Sequence, residues 1–321
     1  MRKVSQSVTK KPEGYQVSLP FRSEGRPETN FRNAVAQLDS LQTKFQKDKE
    51  YYDQYQGVIN KYLEARFIYE VKDPKIEGYY MPHFGIKKDS CTTPLRIVFN
   101  ASSKAKNNKS LNECLLPGPN LVELAYNLLL KFRMNKYAML ADISKAFHRV
   151  LLDPCDAKYT RFLRREVAGR ALTFAFRVVV FGITASPFLL QQVLNHHFKL
   201  EGRPELSKSS YVDNYVSTFD SLDEMKKEQE SVHAILDRAR MPLEGVLPNN
   251  YSIISSDCPL QGGGRWMSAK LKNITGFLRT EIVSDRCTFL VRELLQENTA
   301  YGRCSSYVVD SLAVCPMSAS T

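Results

Sequence analysis

Apolar residues recur after a polar start at spacings that predict two amphipathic helices. Residues 1–30 are mostly polar, with one short strand candidate from Tyr15 to Phe21. Beyond it, apolar positions return every three or four residues, which is the period of one helix face. The first predicted helix carries Phe31, Ala34, Val35, Leu38, Leu41 and Phe45, and the second carries Tyr52, Tyr55, Ile59, Tyr62 and Leu63. We interpret the tyrosine stripe as a seam between helices, in preference to a surface for stacking bases.

The pattern then changes to short apolar stretches separated by turns, which is typical of antiparallel strands. The strand candidates are 79–86, 95–100, 137–142, 159–163, 172–180, 209–212 and 215–219. Three further stretches have helical spacing: Leu121 to Phe132, Phe181 to Leu200, and 221–239.

Two acidic residues stand at the ends of predicted strands. Asp142 follows the apolar stretch that begins at Tyr137, and Asp213 lies in the tight turn of a predicted hairpin. Such residues are usually a helix cap and a turn former, because Asp favours both positions. If the two strands are neighbours, however, the acids could share a pair of divalent ions, as two-metal phosphoryl transfer requires.

Composition narrows the function classes. The net charge of +11 suits a polyanionic partner but does not establish one. Seven cysteines without a CxxC pair or a Cys/His cluster indicate reduced thiols and an intracellular, cytoplasmic location. The basic start of the chain lacks the apolar core of a signal peptide, and no apolar stretch is long enough to span a membrane.

Three segments in this order resemble the palm motifs of reverse transcriptases, most closely those of BEL/Pao-type LTR retrotransposons. They are Asp142–Phe147 (DISKAF), Phe181–Phe188 (FGITASPF) and Tyr211–Asn214 (YVDN). The resemblance implies an α+β right-hand polymerase fold, with an antiparallel palm sheet packed on helices, fingers, and a thumb largely missing. It divides the chain into a polar segment 1–30, helices and fingers 31–136, palm 137–258, a primer-grip-like hairpin 259–295, and an unmatched tail 296–321. Within the fourth segment, residues 272–289 resemble the hairpin that holds the primer end.

The resemblance also implies a site and its ligands. Two Mg²⁺ ions, or Mn²⁺, would be held by Asp142, the carbonyl of Ile143, and Asp213, with Asn214 beside them. The partners would be an RNA or DNA template-primer and deoxynucleoside triphosphates, in the setting of a virus-like particle.

Other positions would contact the substrates. Lys87 (or Lys88) and Arg96 would bind the triphosphate; otherwise they belong to a solvated hairpin tip. Phe147 would exclude a 2′-hydroxyl, although core packing is the usual role of a phenylalanine. The remaining nucleotide contacts are Phe181 and Gly182, and those to template or primer are Ser186, Pro187, Tyr211, Gly276 and Phe277.

The chain departs from the family pattern in places that matter for chemistry. Asn100 and Asn214 stand where the family usually has Asp, and Glu244-Gly245 replaces a basic residue. Losing one negative charge at position 214 weakens the hold on two divalent ions. We therefore expect a weakened or inactive polymerase, encoded by a truncated or decayed copy.

Three interpretations remain open at this point. The chain is an RNA- and DNA-templated DNA polymerase, a catalytically silent remnant that binds nucleic acid, or a non-enzymatic α+β domain. The third is separated from the others by geometry, because only the first two place Asp142 and Asp213 side by side.

Overall fold

The computed structural model describes residues 8–250, apart from 24, 73–76, 88–94, 120–126, 129, 132–133, 166–168 and 170, and gives side chains up to residue 244. These residues belong to the first of two units of the chain, Met1–Ser255. Three predicted features lie outside the described residues: most of the helix from Leu121 to Phe132, the hairpin 272–289 with Gly276 and Phe277, and the tail 296–321.

The described part combines helices with mainly antiparallel sheets. The helices are α1 Phe31–Lys47, α2 Lys49–Glu64, α3 Leu111–Cys114, α4 Ser186–Leu200 and α5 Leu222–Arg238. The strands are β1 Thr9–Lys11, β2 Gly14–Val17, β3 Ile68–Glu70, β4 His83–Lys87, β5 Leu95–Phe99, β6 Tyr137–Ile143, β7 Val150–Leu152, β8 Arg161–Arg165, β9 Ala171–Phe176, β10 Ser210–Tyr211, β11 Asn214–Phe219 and β12 Leu243–Asn250.

The strands form four sheets, of which one carries the two acidic residues. Its order is β10-β11-β6-β12, and all its pairings are antiparallel. The other sheets are β1-β2-β7, β3-β9-β8 and the hairpin β4-β5. Pairing is antiparallel throughout the described strands except between β2 and β7, which run parallel.

The tyrosine stripe of α2 belongs to the core, as its helical spacing indicates. Tyr51, Tyr55 and Ile59 are buried, and the rings of Phe45 and Tyr55 lie 4.9 Å apart between α1 and α2. The Tyr55 hydroxyl is hydrogen-bonded to Nδ1 of His83 on β4 at 2.9 Å. Tyr55 therefore joins helix to sheet and has no surface on which a base could stack.

Helix α4 begins at Ser186, five residues later than its predicted start at Phe181. The intervening residues form a turn in which Gly182 has φ +95°, a conformation that a helix cannot contain. Pro187 then lies in the first helical turn, where its missing N–H costs little. The helix buries most of its residues as far as Phe198, and Leu190 and Phe198 belong to the core, whereas its last residues, Lys199 and Leu200, are exposed.

Strand β12 was not predicted from the sequence. It pairs with β6 from Ile143 to Tyr137, with an irregularity between Glu244 and Leu247. The strand completes the sheet on the side of β6 opposite the hairpin, so both edges of β6 are paired. None of the described helices is both long enough and apolar enough to span a membrane.

Candidate active site

The sheet brings Asp142 and Asp213 together. Asn214 on β11 is the register partner of Asp142 on β6, and the N–H of Ile143 donates to the carbonyl of Asp213 at 2.7 Å. Asp142 and Asn214 therefore form the closer, non-hydrogen-bonded type of pair, with Cα atoms about 4.5 Å apart. Asp213 is the next residue along, so its Cα lies at most about 8 Å from that of Asp142. Both aspartates are half-buried.

The hairpin turn consists of Val212 and Asp213, because Tyr211 pairs with Asn214. The residue with left-handed backbone in this turn is Val212, with φ 52°. Tight hairpin turns of the II′ type require positive φ at their first position. A β-branched residue there costs on the order of 1–3 kcal/mol, which the pairing around it must offset.

Asn214 contacts the neighbouring aspartate directly. Its Nδ2 donates to Oδ1 of Asp213 at 2.9 Å, so the amide orients this carboxylate. The position that would hold a second negative charge in the family instead supplies a neutral hydrogen-bond donor.

A third acidic residue, Glu244, lies on the other side of Asp142, and sequence reasoning gave it no place in the site. It is the register partner of Asp142 on β12, so Asn214, Asp142 and Glu244 share one face of the sheet. The Glu244 side chain is exposed, and its Oε1 accepts a hydrogen bond from Oγ of Ser144 at 2.5 Å. Its carboxylate is therefore directed toward Ser144, the residue that follows β6.

The donor set at this sheet edge fits hard divalent cations. Mg²⁺ and Mn²⁺ bind carboxylate and carbonyl oxygens, and Asp142, Asp213 and the Ile143 carbonyl offer such oxygens on adjoining strand ends. Among the described residues, no group of three or more His, Cys, Asp or Glu side chains is placed to hold a metal ion. The described residues at this sheet edge thus offer two aspartate carboxylates and one backbone carbonyl as oxygen ligands.

Three of the predicted nucleotide contacts lie together. The ring of Phe147 is 97% buried, and its centroid lies 4.4 Å from that of Phe181 in an edge-to-face arrangement. Phe181 is 39% exposed, and Cζ of Arg96 lies 4.3 Å from its ring centroid. The β4-β5 hairpin thus meets the residues that follow β6 and precede α4.

Lys87 does not join this group. Directly opposite residues share a face of a hairpin, and Lys87 pairs with the buried Leu95, whereas Arg96 pairs with Ile86 on the other face. Nζ of Lys87 contacts Oδ2 of Asp48 at 3.2 Å. Hydrogen bonds from the Tyr51 N–H and from Lys87 hold the pKa of Asp48 below its usual value. The alternative, Lys88, lies outside the described residues.

The structure gives Gly182 and Ser186 roles within the fold. A Cβ on Gly182 would lie 2.1 Å from the carbonyl oxygen of Phe99, so the chain itself occupies the space that was expected for a nucleotide. Ser186 is 1% exposed, and its hydroxyl donates to the carbonyl of Val180 at 2.6 Å. Tyr211 is 4% exposed. Of the predicted template and primer contacts that are described, only Pro187 is half-buried rather than buried.

His148 belongs to the same neighbourhood, although no sequence motif pointed to it. Its ring stacks on Phe67 at 4.7 Å and lies 6.3 Å from Phe181. Burial, together with the positive charges of Lys145 and Arg96, lowers the pKa of His148 to about 4. The imidazole is therefore neutral at pH 7 and belongs to an aromatic layer beneath the basic residues.

Two comparisons show what the chain is similar to. Residues 88–244 match the family model described as reverse transcriptase (RNA-dependent DNA polymerase). Among solved structures, the prototype foamy virus protease-reverse transcriptase (a CSH mutant) aligns with TM-score 0.48 and 17% identity, over 61% of this chain and 24% of the viral chain. No curated protein matches the chain. The matched segment contains β5, β6 and the β10-β11 hairpin, so the chain carries a reverse transcriptase-like domain between residues 88 and 244.

Proposed function

We propose that this domain carries out template-directed DNA synthesis by two-metal nucleotidyl transfer. The observation that supports the proposal best is the register of β6 and β11, which puts Asp142 opposite the hairpin that carries Asp213. The two acids come from strands 71 residues apart in sequence, in the order of the reverse transcriptase motifs. In this proposal the sheet with β6 is the palm, the β4-β5 hairpin belongs to the fingers, and the sequence derives from a BEL/Pao-type element.

The residues of the site have separate tasks. Asp142, Asp213 and the Ile143 carbonyl would hold Mg²⁺ ions, which when bound activate the primer 3′-hydroxyl and stabilise the leaving pyrophosphate. Arg96 grips phosphate oxygens, because a guanidinium offers several donors in one plane. Phe147 lies beneath the sugar and excludes a 2′-hydroxyl by its bulk. The chain has no need of a nucleophile of its own, since catalysis of this kind depends on positioning and charge.

Lys145 is the lysine that best suits the second phosphate contact. It is exposed, it lies three residues after Asp142, and its Nζ lies 5.8 Å from the ring of Phe67, which stacks on His148. Arg96 lies over the other end of the same aromatic layer. The two cations thus flank the aromatic residues that would underlie the nucleotide.

A second function has its own support. Asn214 stands where the family usually has an acid, and the carboxylate of Glu244, on the strand beside Asp142, is hydrogen-bonded to Ser144. The chain with its charge of +11 could therefore be a silent remnant that binds an RNA or DNA template-primer without extending it.

Primer extension on an RNA template with Mg²⁺ and with Mn²⁺ separates the two functions. We expect metal-dependent incorporation that is lost in Asp142→Asn and in Asp213→Asn, because each change removes a charged ligand without changing the shape of the side chain. The matched control is Asp223→Asn, in the exposed first turn of α5.

Each outcome has a definite meaning. Template-primer binding without incorporation by the unaltered protein favours the silent remnant. Incorporation that persists in both aspartate variants contradicts the assignment of the site.

A further inference from the structure

The side chain of Asn112 joins two segments that are distant in sequence. Its Nδ2 donates to the carbonyl of Gly182 at 3.0 Å and to Oγ of Ser102 at 2.8 Å. Its Oδ1 accepts from the N–H of Thr184 at 2.9 Å. A primary amide has two N–H donors, and both are used here, so this side chain has one defined orientation.

The backbone of Asn112 is held in place by contacts separate from those of its side chain. It lies in α3, whose capping box has Ser110 accepting from the Glu113 N–H and Glu113 accepting from the Ser110 N–H. The N–H of Asn112 donates to the carbonyl of Ala101 at 3.1 Å. A capping box satisfies backbone donors that a short helix leaves unpaired, so it keeps α3 intact. The amide is therefore presented from a fixed base.

The turn that Asn112 clamps carries Phe181, whose ring lies between Phe147 and Arg96. Gly182 fits against the carbonyl of Phe99, which lies three residues after Arg96 on β5. The Asn112 contacts to Gly182 and Thr184 lie on both sides of the turn. A change at Asn112 therefore removes hydrogen bonds that hold the turn next to Phe181.

We propose that Asn112 is a positioning residue for the incoming nucleotide: it fixes the Phe181–Thr184 turn so that Phe181 supports the guanidinium of Arg96 toward the triphosphate. The inference rests on the proposed function. It assigns a task to a residue that contacts neither metal nor substrate and that lies outside the three palm motifs.

The test uses Asn112→Asp in the full chain. The carboxylate keeps the acceptor for Thr184 but loses both donors and faces the Gly182 carbonyl with a negative charge. We expect the dissociation constant for a fluorescent deoxynucleotide, measured on a template-primer with a dideoxy 3′ end, to rise about tenfold, as the loss of two hydrogen bonds predicts. The affinity for the template-primer alone should stay within a factor of about two. Asn108→Asp adds the same charge to the same loop and should bind the nucleotide as the unaltered protein does.

Hydrogen exchange supplies a second readout that does not depend on activity. In Asn112→Ala we expect faster exchange in a peptide covering 181–185, where the Thr184 N–H loses its acceptor. Unchanged nucleotide affinity in Asn112→Asp, or an equal loss in Asn108→Asp, overturns the inference while the proposed function stands. If the unaltered protein binds no nucleotide at all, the proposed function fails and the inference fails with it.

Discussion

The contact between Arg96 and Phe181 determines how the guanidinium could bind a phosphate. Its guanidinium lies over the ring of Phe181, 4.3 Å from the centroid. Such a contact is worth about 0.5–2 kcal/mol and occupies a face of the guanidinium. The N–H donors lie in the plane, so they remain directed outward, where a phosphate could accept from two of them at once.

We predict that Arg96→Ala raises the nucleotide concentration needed for half-maximal primer extension by roughly tenfold to a hundredfold, because a charge-assisted hydrogen bond contributes about 1.5–3 kcal/mol. The maximal rate should change much less. Steady-state extension over a range of nucleotide concentrations measures both quantities. The matched control is Arg26→Ala, which removes an arginine 3.9 Å above the ring of Phe21 in the N-terminal segment. An Arg96→Ala protein with unchanged nucleotide dependence would remove Arg96 from the site.

At the same scale, the family resemblance assigns Gly182 to the nucleotide and Ser186 to the template or primer, and it does not indicate their contacts within the fold. The glycine is required by the carbonyl of Phe99, which lies 83 positions earlier, and the serine hydroxyl is bonded to Val180. Lys87 was expected near Arg96, but the hairpin register puts the two side chains on opposite faces. Partners and faces of this kind depend on tertiary pairing, which residue type alone does not specify.

Among the elements, the hairpin β10-β11 and strand β6 could be predicted because apolar residues alternate or cluster there and a turn sequence separates them. Strand β12 could not, because Gly245 and Pro248 interrupt its pattern. Proline is tolerated at the edge of a sheet, and β12 is an edge strand in the order β10-β11-β6-β12. The missed strand is the one that places Glu244 beside Asp142.

The turn of this hairpin gives a prediction for Asn214→Asp. The aspartate loses the hydrogen bond to Asp213 and puts two carboxylates side by side, so without metal we expect a lower melting temperature than in the unaltered protein. With Mg²⁺ the order should reverse, because a third charge strengthens the hold on the ions. Thermal unfolding without Mg²⁺ and at Mg²⁺ concentrations raised in tenfold steps measures the melting temperature of both proteins. Primer extension by Asn214→Asp should exceed that of the unaltered protein.

The control for this substitution is Asn135→Asp. Asn135 is also paired with an aspartate, since its Nδ2 donates to Oδ1 of Asp220 at 2.9 Å. It should show the loss without metal but no gain with Mg²⁺. Equal Mg²⁺ responses in the unaltered protein and in Asn214→Asp would show that a negative charge at position 214 does not strengthen Mg²⁺ binding.

Across the whole molecule, neutral histidines tie helices to strands. His83 on β4 is bonded to the Tyr55 hydroxyl of α2 at 2.9 Å and, through Nε2, to the Leu163 carbonyl of β8 at 2.8 Å. On α4, the Tyr15 hydroxyl lies 2.9 Å from Nδ1 of His197, and Nε2 lies 2.7 Å from the Ile235 carbonyl. In each case Nε2–H donates to the carbonyl and the tyrosine hydroxyl donates to Nδ1. Protonation of Nδ1 would break the hydrogen bond that this nitrogen accepts from the tyrosine hydroxyl.

Acid should therefore unfold the protein in a defined window. Burial lowers the pKa of His83 and of His148 to about 4, and it also lowers the pKa of His197, whereas an unfolded histidine has its ordinary value of 6.5. Below 6.5 the unfolded chain binds more protons, so the stability present at neutral pH is lost as the pH falls from 6.5 toward 4. Each such histidine contributes a slope of up to about 1.4 kcal/mol per pH unit.

Denaturant unfolding at pH 7.5, 6.5, 5.5 and 4.5 measures this loss. His83→Gln should be less stable at neutral pH, because it breaks a buried pair of hydrogen bonds, but its stability should fall less steeply with acid, by roughly a third if the three histidines contribute equally. His233→Gln is the matched control, since this histidine is about half exposed and bonded to Asp237 on the surface of α5. A free energy of unfolding that stays constant from pH 7.5 to 5 would mean that the histidines titrate as they do in the unfolded chain. Neutral imidazoles would then not stabilise the fold, and the hydrogen bonds at His83 and His197 would not make its stability depend on pH.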